Sequence, residues 1–213
     1  MQFPPYLNEL ISILIKINGI GYKVATKIAI ALTLDQNGIR SNIISHLTKM
    51  NNKVKVCPEC GNLIFDNLET CSICRNKDRI HNSILVIENI ETLFLFESLN
   101  EFKGVYHITY GVISPINGVT PDKLNINSLI DRLNRLTLNF EQVELIFGFN
   151  SSIEAQSTIT YIISSIINNV SKSKNIIFSK LASGIPPGSD IENLPNKAIS
   201  ESLKNRINIE FSI

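Results

Sequence analysis

The four cysteines of this chain, Cys57, Cys60, Cys71 and Cys74, fall within 18 residues as C-x2-C-x10-C-x2-C. A Cys-x-x-Cys turn points two sulfurs at one centre, and a second such turn completes a tetrahedral thiolate site for one structural zinc ion per chain. Pro58 and Gly61 suit the tight turns required. Four protein ligands leave no open coordination position, so the metal is expected to hold structure rather than perform chemistry. Two disulfides are the alternative, disfavoured by the lack of a secretion signal and by the reducing cytosol. A redox Cys-x-x-Cys pair is a third reading, which two pairs with none left over fit less well. His46, His81 and His107 lie outside the block and read as surface or loop residues rather than ligands.

Net charge is only +1, but it is unevenly spread. Residues 1–56 carry seven basic side chains against two acidic ones, while the remainder carries 13 basic and 17 acidic. A basic amino-terminal segment on a mildly acidic body is the asymmetry expected when one segment contacts phosphate. The first residues show no basic stretch followed by an apolar core, so no signal peptide is expected. No apolar run approaches the roughly 18–20 residues that span a bilayer, so a cytoplasmic protein with no membrane contact is expected.

Hydrophobic spacing divides the chain further. Leu7, Leu10, Ile11 and Leu14 recur at helical intervals after Pro4-Pro5, and a second helix begins near Val24 with Val24 and Ile28 turned toward the core. A third helix is expected over about 38–50. Beyond the cysteines, strands over 84–87, 105–108, 143–149 and 175–178 alternate with helices over 90–99, 126–136 and 153–167. That rhythm predicts an α/β fold with a doubly wound, mostly parallel sheet. Residues 111–121 form a loop, and Gly184-Ile185-Pro186-Pro187-Gly188 form another before a last helix through about residue 206.

Between the first two helices runs Ile17-Asn18-Gly19-Ile20-Gly21-Tyr22-Lys23. Gly19 and Gly21 let the backbone approach a phosphate closely, with the free amides of the next helix directed at it. Lys23 and Lys27 share one helical face, which completes a recipe for sequence-independent grip on a nucleic-acid backbone. An ordinary helical hairpin with a glycine turn is the plainer reading. The segment resembles the helix–hairpin–helix motif of DNA-repair proteins.

With these pieces in order the chain resembles, over nearly its whole length, the RecR family of bacterial recombination mediators. The resemblance implies a multidomain α/β arrangement: a helix–hairpin–helix region at 1–54, a zinc finger at 55–79, a Toprim domain at 80–176 and a carboxy-terminal oligomerisation segment at 177–213. It rests on 17–29, the two Cys-x-x-Cys pairs, Ile84-Leu85-Val86-Ile87-Glu88, Val105-Tyr106-His107-Ile108, residues 111–118, Asn150 to Thr158, and Gly184-Ile185-Pro186 with Gly188 and Asp190. The chain departs from the family at Tyr110, Ser183 and Ser189, where Gly, Arg and Gly are expected, and its zinc loop is about two residues longer. Ala155 and Gln156 replace a Gly-Glu pair.

Toprim enzymes hold Mg²⁺ with one Glu and an Asp-x-Asp pair. Here Glu88 and Glu154 supply two carboxylates and Gln156 stands neutral where a third would be. The expectation is therefore a non-enzymatic protein in which Glu88 and Glu154 contact a partner; no Gly-x-x-x-x-Gly-Lys-Ser/Thr phosphate loop occurs. The resemblance implies a homo-tetrameric ring on single- or double-stranded DNA, acting with RecO and possibly RecF to load the RecA recombinase. A Toprim-type magnesium-dependent nuclease or primase-like enzyme is the rival, and a zinc-ribbon adaptor that binds only protein is another.

Overall fold

A computed structural model describes residues 3–65, 68–181 and 188–209, in two compact units, Met1–Val54 and Lys55–Ile213. The first unit is helical. α1 (Pro5–Leu14) starts on a proline, whose fixed φ and missing amide suit the first helical position. After a turn around Gly19 comes α2 (Tyr22–Thr33), and after Gly38 comes α3 (Ile39–Lys53). The small core of this unit is Ile11 against Ala25 and Ala29, with Leu7, Leu10, Leu14 and Ile20 packed around them. The buried face of α2 is thus one residue away from expectation: Val24 is 49% exposed and Ala25 and Ala29 are wholly buried. Two alanines four apart leave a flat strip that lets α1 approach closely, and branched side chains at the same contact would hold the helices apart. Among its described side chains α3 has none buried, and Ile39, Ile43, Ile44, Leu47 and Met50 are all exposed.

The second unit opens with a two-stranded ribbon, β1 (Val54–Val56) and β2 (Leu63–Phe65), and the single turn α4 (Ser72–Arg75). The body follows as β3 (Ile80–Ile87), α5 (Ile90–Leu99), β4 (Gly104–Ile108), α6 (Asn127–Asn139), β5 (Val143–Phe147), α7 (Ile153–Asn169), β6 (Ile176–Lys180), α8 (Asn196–Lys204) and β7 (Ile207–Asn208). Strand order is β4-β3-β5-β6-β7, with the first four parallel and only β7 antiparallel. Ile84, Leu85, Val86 and Ile87 are fully buried, as a strand covered on both faces requires. The chain steps from β3 to β4 and then crosses back to β5. Right-handed crossovers therefore place α5 on one face and α6 and α7 on the other, which makes the sheet doubly wound.

Several boundaries differ from expectation. β3 starts four residues earlier than its apolar run, β5 ends at Phe147, and the loop over 111–121 holds a turn at Pro115–Asn117 closed by a bridge between Ser114 and Val119. His107 is not a surface or loop residue: it lies in β4 with no exposure. Its Nε2 meets Asn125 O at 2.6 Å, and burial pushes its pKa down to about 4, so it sits there uncharged. Ser183 and the expected turn at Gly184-Ile185-Pro186 lie outside the described residues.

Candidate functional site

The ribbon and α4 bring the four cysteines together. Cys57 and Cys60 flank the turn between β1 and β2, Cys71 caps α4 and Cys74 lies within it. Gly61 makes the first turn possible, with φ at +81° and a position where an added Cβ would stand 3.1 Å from Asn125 Nδ2 and 3.2 Å from Ile108. The four Sγ atoms lie within 4.8 Å of one another, and Cys60 and Cys71 are 3.5 Å apart. A disulfide needs about 2.05 Å, whereas a tetrahedron of metal–sulfur bonds of about 2.3 Å has edges of about 3.8 Å. Backbone amides of Asn62, Cys71 and Cys74 donate to Cys60, Cys57 and Cys71 sulfurs at 3.4, 3.4 and 3.5 Å, which stabilises thiolates. Hydrogen bonds from Cys60, Cys71 and Cys74 pull Cys57 below the usual thiol range. The bond to Cys57 in turn pushes Cys60 and Cys74 above it, with the Arg132 charge opposing at Cys74. Four sulfurs with ligand atoms this close could hold a metal ion.

The knuckle is seated on the sheet. Ile108 N donates to Cys60 O at 2.8 Å, continuing β4 onto the Cys-x-x-Cys turn. Arg132 is 4% exposed. Its Nη1 donates to Glu59 O at 3.1 Å and to Tyr106 O at 2.7 Å, and its Nε lies 3.7 Å from the Glu59 carboxylate. Arg135 Nη2 reaches the same carboxylate at 2.7 and 2.9 Å. Tyr110, at a position where glycine was expected, adopts φ +63° and its hydroxyl donates to Gly61 O. The left-handed backbone costs a non-glycine residue about 1–2 kcal/mol, and the hydroxyl bond to the turn offsets it. Sequence reasoning missed Glu59, Arg132 and Tyr110. The signal for Arg132 was present, since it falls between Leu129 and Leu133 on the apolar face of its helix.

In the first unit, the turn places Gly19 at φ +83°, and Gly21 precedes α2. No side chain caps α2 and its first turn holds no acidic residue, so its leading amides keep their donor capacity. A Cβ on Gly21 would meet nothing within 4 Å, and its φ of −79° suits any residue. The fold itself therefore gives no reason for glycine at 21. Lys23 and Lys27 are exposed on this helix, as are Ile17, Tyr22 and Val24 around the turn.

At the carboxyl end of the sheet, Glu88 follows β3 and its Oε1 accepts from Asn150 N at 3.1 Å. Burial pushes its pKa up, aided by the negative charges of Glu192 and Asp190. Those two carboxylates come from the carboxy-terminal segment, and their approach to Glu88 was not foreseen. Glu192 accepts from Thr92 Oγ1 at 2.7 Å and Asn89 Nδ2 at 3.3 Å, which outweighs its burial and holds it below the usual carboxylate range. Glu154 is exposed in the first turn of α7, a helix capped by Ser152, and Gln156 is exposed as well. Among the described residues, only the four cysteines form a group of three or more metal-binding side chains with converging ligand atoms.

A family profile described as Toprim domain matches residues 82–176. The chain is 33% identical over 207 residues to recombination protein RecR of Lactobacillus helveticus, covering 97% of this chain and 98% of the relative. It is 32% identical over 209 residues to recombination protein RecR of Lactococcus lactis subsp. cremoris, covering 98% and 100%. Against recombination protein RecR of Streptococcus mutans the identity is 32% over 206 residues, covering 97% and 98%.

Proposed function

The chain belongs to the RecR family of recombination proteins, and from that premise we propose that it is a non-enzymatic mediator that grips DNA through the hairpin of its first unit. A role in DNA recombination and repair comes with the family. The observation that carries the proposal is the start of α2, where uncapped amides, two glycines with free space above them and Lys23 and Lys27 converge. Such a site binds backbone phosphate of either strand form without reading bases. The cysteine group takes zinc, and zinc when bound cross-links the two knuckles. Glu59, Arg132 and the β4 backbone then carry that rigidity into the sheet.

The exposed apolar side chains of α3 support self-association, consistent with a homo-tetrameric ring. RecO, and possibly RecF, are the proposed partners in loading RecA in the cytoplasm. No helix among the described residues is long and apolar enough to cross a membrane. Exposed Glu154 is the better candidate for a partner contact, because Glu88 is half-buried and engaged by Asn150.

Equilibrium DNA binding at two salt concentrations tests the hairpin. Lys23→Ala with Lys27→Ala should weaken binding and flatten the salt dependence by about 1.4–1.8 units of slope, about 0.7–0.9 for each phosphate no longer neutralised. Unchanged affinity would sink the phosphate role. The rival, a magnesium-dependent nuclease or primase-like enzyme, has one observation in its favour, the nearness of Asp190 and Glu192 to Glu88. Cleavage of a labelled duplex on adding Mg²⁺, abolished by Glu88→Gln, would establish the rival instead.

A further inference from the structure

We propose that Tyr22 is a base-stacking residue that gives the hairpin a preference for single-stranded DNA; this rests on the hairpin reading above. Tyr22 is the first residue of α2, directly before Lys23, and is 61% exposed. Two other tyrosines are tied into the fold by their hydroxyls, Tyr106 to Glu97 and Tyr110 to Gly61. Among the described residues, the Tyr22 hydroxyl has no such partner.

Nor is Tyr22 alone. Ile17 on the far side of the Gly19–Gly21 turn is 52% exposed, and Val24, which the core leaves outside, is 49% exposed. The turn that offers amides to phosphate is therefore rimmed by three apolar side chains, with Lys23 and Lys27 on the helix beyond. A site made only for phosphate has no use for that rim, because phosphate oxygens meet amides and cations. The faces of nucleobases are what such a rim fits. In a duplex each base face is covered by its stacked neighbours, and the hairpin reaches the backbone alone. In a single strand a base adjacent to the bound phosphate can turn and lie on the phenol ring, as aromatic platforms do in single-strand binders. Ordering a two-torsion ring costs little conformational entropy, so most of the contact appears as affinity.

The full-length chain, three probes of equal length and fluorescence anisotropy test this. The probes are a thymidine oligomer, an abasic deoxyribose-phosphate oligomer and a duplex. Wild type should bind the thymidine oligomer about tenfold or more tightly than the abasic one, from the usual strength of base–aromatic stacking. Tyr22→Ala should remove that gap and leave duplex and abasic affinities within about twofold. Tyr22→Phe should keep it. Lys23→Ala with Lys27→Ala should weaken all three probes and preserve the gap. The chain contains no tryptophan, so Tyr22→Trp supplies a unique fluorophore, and its emission should be quenched by the thymidine oligomer and not by the abasic one. A wild-type gap that survives Tyr22→Ala, or no gap at all, overturns the stacking role while leaving the hairpin as a phosphate site. Failure of wild type to bind any probe overturns both.

Discussion

Replacing Arg132 with methionine should be the most damaging single change to the seat of the four-cysteine knuckle. The side chain is 4% exposed, and its charge is engaged by Tyr106 O at 2.7 Å, Glu59 O at 3.1 Å and the Glu59 carboxylate at 3.7 Å. A hydrogen bond to a charged donor contributes about 1.5–3 kcal/mol, and a buried carbonyl left without a donor costs about 1–3 kcal/mol. Methionine restores about 1–2 kcal/mol of apolar contact along the stem. The carboxylate pair adds little, because Glu59 is one-third exposed and keeps Arg135. The net expectation is a loss of about 2–4 kcal/mol, read by urea denaturation in saturating zinc. A tetrathiolate zinc site carries a net negative charge and Arg132 is the buried cation near it, so zinc should also transfer faster to a chromophoric chelator. A weakening of about 10–100-fold is usual when such an outer partner is removed. Arg135→Met is the control: its side chain is 56% exposed, so it should cost no more than about 1 kcal/mol. If Arg132→Met unfolds within about 1 kcal/mol of wild type and keeps its zinc, the knuckle is not seated by this residue and the reasoning fails.

Four further substitutions have expected outcomes. Gly61→Ala should lose at least about 2 kcal/mol in thermal or chemical unfolding, from left-handed strain plus the 3.1–3.2 Å contacts its Cβ would make with Asn125 and Ile108. Gly19→Ala, at φ +83° with nothing within 4 Å, should cost only the strain of about 1–2 kcal/mol; equal losses would refute the close-packing account. Glu88→Gln should raise the thermal midpoint at pH 7, because burial holds the Glu88 pKa above its usual value. A raised carboxyl pKa gives stability that is full at low pH and lost as pH rises through the folded value, so the advantage of glutamine should vanish as pH falls toward 4. A midpoint difference independent of pH would contradict this. Glu154→Ala should abolish pull-down of RecO while leaving DNA affinity intact, with a stability cost of about 0.3–1 kcal/mol at the amino end of α7; loss of Mg²⁺-dependent cleavage and nothing else would refute the partner role.

What the sequence disclosed follows from which interactions are local. The cysteine spacing writes its own ligand set, and four apolar residues in a row at Ile84 to Ile87 announce a strand covered on both faces. The buried side of α2 was ambiguous because Val24, Ala25, Ile28 and Ala29 are all apolar, and the choice was made by size at the crossing with α1. β7 is two residues long and pairs with Ser179 and Lys180, so no periodicity could reveal it. His107 was misplaced because its acceptor, Asn125 O, lies 18 residues away and makes a polar residue tolerable inside a strand. Asp190 and Glu192 reach the Glu88 region only through tertiary folding, about 100 residues along the chain from it.

Knuckle seating has a further consequence at the rim of the sheet. β4 is an outermost strand, yet all five of its residues are buried. Several of its outward backbone groups are occupied: Gly104 O by Arg79 at 3.1 Å, Tyr106 O by Arg132 and Ile108 N by Cys60 O. Those are the groups a strand from another molecule would take up. Metal bound in the knuckle would thus do more than fasten a small domain, since it would keep an apolar template for intermolecular β-pairing shut. Chelated protein should be lost first to aggregation that begins at this strand, before the parallel sheet behind it unfolds.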